Sequence, residues 1–172
     1  MPPARPPEEL RSNAARLAEA VGAPLPAHLR ESPIELRSAG PLSIELARDP
    51  SLRGEDDHNN LVWVRVTERL PDEPLLHVCL MTYISDLTLL ETALLEHGLS
   101  WFEGNASGAS LDHAMWFHRP FRADQWLLYA QDSPVSAGGR VLARGQVFTE
   151  EGDLVVSVVQ EGLIRISDTP RD

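Results

Sequence analysis

Val62, Val64 and Val66 alternate with Trp63 and Arg65, a period of two that predicts a half-buried strand over 61–66. Later segments read the same way: 111–118, 125–130, Arg140–Thr149 and Leu154–Ile166. Turn chemistry separates them, with Ser133-Pro134 and Gly138-Gly139 ahead of one strand and Glu151-Gly152-Asp153 between the last two. Upstream, 34–46 reads as two short extended pieces split by Gly40-Pro41, and 51–60 as a polar loop. The period changes after Pro71-Asp72-Glu73-Pro74, whose acids suit the electropositive start of a helix. One long helix followed by a run of antiparallel strands predicts an α+β domain, a curved antiparallel sheet wrapped around that helix.

The start of the chain has another character. Residues 1–33 carry seven of the 14 prolines, and between them Leu10, Ala14, Leu17, Ala18 and Val21 keep helical spacing. This predicts a short helix on a Pro-rich, linker-like segment, with the domain proper over 34–172.

With Leu75 at zero on a helical wheel, Leu76, Cys79, Leu80, Tyr83, Ile84 and Leu87 fall in an arc of about 180°. That arc is the face expected to meet the sheet, with Cys79 in the core. Val78, Met81 and Ser85 lie opposite, where a second surface would cover them. Asp86 lands inside the arc, at roughly 20°. An unpaired buried carboxylate costs several kcal/mol or becomes protonated. Either Asp86 ends the helix and caps the segment after it, or it serves as a base or water-orienting group in a cleft.

Gln160 raises the same question on a strand. It shares a predicted face with Leu154, Val156 and Val158, and an unpartnered amide there costs about 1–3 kcal/mol. It either bonds a neighbouring strand or points at a substrate or water. Gly162 nearby suggests a bulge or a close approach. His113 and His118 are an odd distance apart and should face opposite ways, as should Ser110 and His113, which argues against one metal site or a local Ser–His pair. Arg119, Arg122, Arg140 and Arg144 gather positive charge that would suit an anionic ligand's phosphates, or are solvated strand ends.

Charge and composition narrow the classes. The formal net charge of −11 argues against nucleic acid or an anionic membrane surface. Cys79 is the only cysteine, which excludes an intrachain disulfide and favours a reducing compartment, the cytosol. The opening MPPARPPEEL has no apolar signal core, and no apolar run approaches the ~18 residues of a membrane span. The motifs GxSxG, GxxxxGK[ST] and CxxC are absent.

Three stretches, YISDLTLL, ASLDHAMWFHRPFRADQWLLY and GGRVLARGQVFTEEGDLVVSVVQEGLIR, resemble the C-terminal half of type II (TesB-type) acyl-CoA thioesterases over about 33–166. The resemblance implies a hotdog fold and hydrolysis of acyl-CoA to free acid and CoA by direct water attack, without metal or organic cofactor. It places the family's catalytic aspartate, hydroxyl and glutamine at Asp86, Ser110 and Gln160, with serine where threonine is common. The four arginines become candidates for binding CoA. Family members carry two hotdog domains, and this chain matches the second. The resemblance therefore implies a homo-oligomer or pairing with another hotdog domain, or else a non-catalytic acyl-CoA-binding subunit. A hotdog hydratase ranks below both, since its GDxNPxH-like segment is absent.

Overall fold

The computed structural model describes residues 1–54 and 60–167. Residues 55–59, within the predicted polar loop, and 168–172 lie outside the described residues. The helices are α1 (Asn13–Val21), α2 (Ala27–Arg30), α3 (Ser43–Arg48), α4 (Pro74–Asp86) and α5 (Glu91–His97). The strands are β1 (Ile34–Ser38), β2 (Asn60–Val66), β3 (Ala106–Ser110), β4 (Ala114–Phe117), β5 (Leu127–Ala137), β6 (Arg140–Thr149) and β7 (Leu154–Ile166). They form one antiparallel sheet in the order β1-β2-β5-β6-β7-β3, with β4 also on β7.

The sheet follows the alternation closely where turn residues mark its ends. Gly138 and Gly139 both take positive φ, 61° and 76°, the backbone a two-residue hairpin between right-twisting strands requires. Ser133-Pro134, expected as a turn, is instead a bulge inside β5: Asp132 pairs with Arg144 and Val135 with Leu142, leaving one residue extra. A proline has no N–H to offer a ladder, and a bulge is where its absence does least harm. A second bulge at Val155 separates the pairs Phe148–Leu154 and Val147–Val156. It sends Leu154 to the other face, against Trp63, Trp126 and Phe148, and away from the face of Gln160.

Two expected extended pieces are corrected. Residues 43–48 are helix α3, because the Glu45 carboxylate accepts the free Leu42 N–H at 2.8 Å and ties off the first turn. The strand expected over 111–118 starts only at Ala114, and the preceding strand β3 has the sequence ASGAS, too poor in apolar side chains to show a period.

Helix α4 crosses one face of the sheet, but rotated from the wheel's arc, of which Ile84 is buried and Leu80 packs partly against the core. Its buried residues are His77, Met81, Ile84 and Ser85, whereas Leu75, Tyr83 and Leu87 are 73%, 63% and 40% exposed. Cys79, expected in the core, is exposed. The covered side places His77 and Ser85 where each finds a hydrogen-bond partner. His77 Nδ1 accepts the Ala123 N–H at 3.1 Å, and the Tyr129 hydroxyl donates to the Ser85 carbonyl at 3.1 Å. Around them Met81 and Ile84 join Val62, Val64, Val66, Tyr129, Val147, Val156 and Val158 in one core. Gly145 makes room for this packing, since a Cβ there would lie 2.2 Å from the Tyr129 ring.

Over Pro74–His97 the chain is long and apolar enough by composition to cross a membrane, with a window of mean hydropathy 1.5, against the expectation that no run approached that length. The stretch is divided by the turn at 87–90, and its buried side chains meet the sheet.

The Pro-rich start lies on the sheet's outer face. Trp63 Nε1 donates to the Arg5 carbonyl at 2.8 Å, Arg37 donates to the Pro7 carbonyl at 2.7 Å, and Leu10 is buried with Trp63, Trp126, Leu128 and Phe148. Leu10 precedes the helix, which begins at Asn13 under a Ser12 cap.

Candidate active site

Helix α4 ends at Asp86, and the turn after it brings Leu90 down onto β7 at Gly162, where a Cβ would meet Leu90 Cδ2 at 2.5 Å. The absence of a side chain at Gly162 therefore sets how near the helix end can approach. Ser110, the last residue of β3, is the direct partner of Gly162. Directly opposed residues share a face, as do positions two apart on a strand, so Ser110 and Gln160 both point toward Asp86. The result is a closed triangle. Gln160 Nε2 donates to Asp86 Oδ1 at 2.7 Å and to Ser110 Oγ at 2.5 Å, and Ser110 Oγ donates to the same Oδ1 at 3.4 Å.

Burial is graded across this triangle. Gln160 is fully buried, while the Asp86 side chain is 58% exposed. The amide is a fixed support and the carboxylate the accessible group. The capping alternative for Asp86 finds no contact, since α5 has no side-chain cap. Among the described residues, the buried side-chain nitrogen and oxygen atoms without a hydrogen-bond partner are His77 Nε2, His113 Nδ1 and Gln160 Oε1. Two of these belong to this one corner.

His113 is the site residue that sequence spacing missed. Between the pairs Ser110–Gly162 and Ala114–Val159 the edge strand uses four steps where β7 uses three, so one extra residue bulges out. Asp112 secures the bulge by accepting the Glu161 N–H at 2.8 Å. Shifted by this bulge, His113 faces inward with Met115. Its Nε2 lies 2.9 Å from Ser85 Oγ and its Nδ1 3.8 Å from Asp86 Oδ1. The alternating count put Ser110 and His113 on opposite faces; the bulge puts both beside one carboxylate. His118, beyond β4, instead meets Ser157 at 2.9 Å. Behind the site, burial and the nearby Asp86 charge push the Tyr129 hydroxyl well above its ordinary range, so it stays a hydrogen-bond donor.

The four arginines do not converge. Arg119 donates to the Leu154 carbonyl and Arg140 sits opposite Leu163, nine residues along β7, roughly 30 Å at a strand's rise. Arg122 clamps the loop ahead of α4 through Asp124, Asp72 and the Leu70 carbonyl, and its charge holds the Asp124 carboxyl well below the usual range. Arg144 pairs with Asp132 across β5 and β6. A groove of about 420 Å³ lined by Asp132, Arg144, Gln146 and Ser157 contains none of the triangle's residues. Among the described residues no cluster of three or more His, Cys, Asp or Glu is placed to hold a metal ion.

Comparison with known proteins gives a consistent picture. A family model described as acyl-CoA thioesterase matches residues 41–163. The chain is 37% identical over 138 residues to acyl-coenzyme A thioesterase 8 of Homo sapiens, covering 80% of this chain and 41% of that protein. Among solved structures, the acyl-CoA thioesterase II TesB2 of Mycobacterium marinum superposes with a TM-score of 0.71 at 38% identity, covering 98% of this chain and 56% of that one. A protein from Alicyclobacillus acidocaldarius described as having a hot dog fold superposes with a TM-score of 0.64 at 16% identity, a likeness of fold alone. The curved sheet around α4 is thus a hotdog fold. The chain spans about two fifths of the length of the human protein it matches.

Proposed function

The chain belongs to the acyl-CoA thioesterase family, and from that premise we propose that it hydrolyses fatty acyl-CoA to free acid and CoA by direct attack of water. The observation that carries the reading is the triangle: a carboxylate, a hydroxyl and an amide, from positions 86, 110 and 160, meet within 2.5–3.4 Å. Gln160 and Ser110 orient the Asp86 carboxylate by donating to Oδ1. The attacking water donates one O–H to that carboxylate and the other to Gln160 Oε1, the buried acceptor that has no donor among the described residues. As the water's oxygen bonds the thioester carbon, Asp86 takes its proton as general base. The C–S bond then breaks with CoA as thiolate, a good leaving group at neutral pH.

A second hotdog surface, from another copy or another domain, is part of the same proposal. The outward side of α4 leaves Leu75 and Tyr83 exposed along the helix that ends at Asp86, an apolar area that suits a partner walling the acyl chain. Of the four arginines, Arg119 and Arg140 remain candidates for a CoA phosphate: Arg119 is exposed and donates to a backbone carbonyl, and the Arg140 side chain is 62% exposed, with Glu161 3.8 Å away. A cytosolic setting completes the reading and rests on the lone cysteine.

Release of free thiol from a series of acyl-CoAs tests this. Wild-type chain is expected to turn over, and Asp86→Asn to lose about 10²–10⁴-fold in kcat. An Asp86→Asn rate equal to wild type overturns the site. Binding of acyl-CoA with no thiol release by wild type replaces hydrolysis with the non-catalytic subunit reading.

A further inference from the structure

We propose that His113 is a positioning residue that acts through Asp86, its Nδ1 receiving from the carboxyl group the proton given up by the attacking water. This deepens the hydrolase reading and rests on it. The argument begins at Ser85, whose side chain is fully buried. Its hydroxyl has one proton and three neighbours: the Thr82 carbonyl at 2.8 Å, His113 Nε2 at 2.9 Å and the Met115 sulfur at 3.4 Å. A carbonyl can only accept and a thioether accepts weakly, so the serine proton goes to Thr82. Ser85 Oγ is then an acceptor toward the ring, and Nε2 carries the hydrogen. That assignment leaves the lone pair on Nδ1.

Nδ1 is buried, has no hydrogen-bond partner among the described residues, and lies 3.8 Å from Asp86 Oδ1. Two proton acceptors therefore face each other. The neighbouring donors are already spent: Gln160 Nε2 and Ser110 Oγ point at Asp86, Gln160 also at Ser110, and the Tyr129 hydroxyl at the Ser85 carbonyl. The proton that fits between Asp86 and His113 is the one the reaction releases. Separations of this size in an unliganded site tighten when substrate binds.

The protons balance. One O–H bond of water breaks as its oxygen joins the carbonyl carbon; the proton passes to Asp86 and on to Nδ1, leaving an imidazolium beside a carboxylate. When the C–S bond breaks, sulfur keeps the electron pair, and the proton returns through Asp86 to give the CoA thiol. The acid product then ionises to solvent.

The test combines kinetics with a reading of the ring itself. His113 is partly exposed, 21% at the side chain, so His113→Gln is expected to fold, as circular dichroism checks. That variant should lose roughly 10–100-fold in kcat with KM unchanged. His113→Ala should regain rate with added imidazole, and His113→Gln in an Asp86→Asn background should cost nothing more. In ¹⁵N NMR of the full chain, the neutral His113 ring should carry its hydrogen on Nε2. Hydrogen on Nδ1, an additive double variant, or a loss that imidazole does not restore overturns the proposal. An active wild type matched by His113→Gln overturns this proposal alone; a wild type that releases no thiol overturns the hydrolase reading, while the NMR still reports the tautomer.

Discussion

The two long sides of α4 have nearly the same appetite for a neighbour, and only one is satisfied within the chain. The side against the sheet carries His77, Met81, Ile84 and Ser85; the side facing away carries Leu75, Cys79, Tyr83 and Leu87. Counted by apolar residues, the outward side is the richer. The inward one closes because its polar members have assigned partners in Ala123 and His113, and because Met81 and Ile84 fill the concavity of the sheet. A helix apolar all round needs two surfaces, and periodicity alone does not say which of them its own chain supplies. Asp86 sits where the two sides meet the edge of the sheet, which is where a cleft between this domain and a partner would open.

Truncating one side chain on each face is the strongest way to break this contrast. Met81 is fully buried, so Met81→Ala should lower unfolding free energy by about 2–5 kcal/mol. Leu75→Ala on the outer face should change it by no more than about 0.5 kcal/mol at concentrations where the chain is monomeric. Urea unfolding of both variants over a range of protein concentrations measures the difference. Equal losses would mean that the outward side is also covered in solution, and a Leu75→Ala loss that grows with concentration would identify a second copy as the cover.

A smaller effect sharpens the account of the covered side. Gly145→Ala puts a methyl group into the Tyr129 ring, which has no exposed surface on which to retreat. Overpacking of this kind costs about 1–3 kcal/mol. Because Tyr129 holds the Ser85 carbonyl next to Asp86, thiol release should fall along with stability. Tyr129→Phe in the same background removes only the hydroxyl contact and leaves the tighter ring clash, so it should not restore thiol release. A Gly145→Ala chain with wild-type midpoint and rate would mean that the ring does not support the end of α4.

What the residues disclosed in advance follows the same division. β2, β6 and β7 were legible because alternation and turn glycines agree, and the start of α4 because its prolines and acids mark it. Asp86 and Gln160 stood out as polar groups on apolar faces, but Ser110 and the meeting of the three were legible only from the quoted motifs; no local period joins positions so far apart. β3 was missed because ASGAS has no large side chain to alternate, and α3 because Glu45's tie to Leu42 is a single contact in a short helix. His113 was miscounted by one residue. The edge strand carries a bulge whose only written trace is the turn-forming Asp112, and one extra residue reverses every side chain after it.

The least of the expected effects concerns Glu91 at the start of α5, whose carboxyl group meets Ser43 of α3. Burial pushes its pKa up, and the hydroxyl of Ser43, which donates to it, only partly opposes that. A raised carboxyl binds its proton more tightly folded than unfolded. Its contribution is therefore complete below the unfolded value, near about pH 4.3, and is lost as pH rises through the folded value. Glu91→Gln keeps the neutral shape and cannot ionise. The variant should match wild type in acid and become the more stable of the two as pH climbs toward neutrality, with denaturation midpoints at successive pH values giving the curve. A variant that instead loses stability as pH rises would mean that the charged carboxylate is what Ser43 holds. The contact between α3 and α5 would then hold a charge, as the exposed end of α4 does at Asp86.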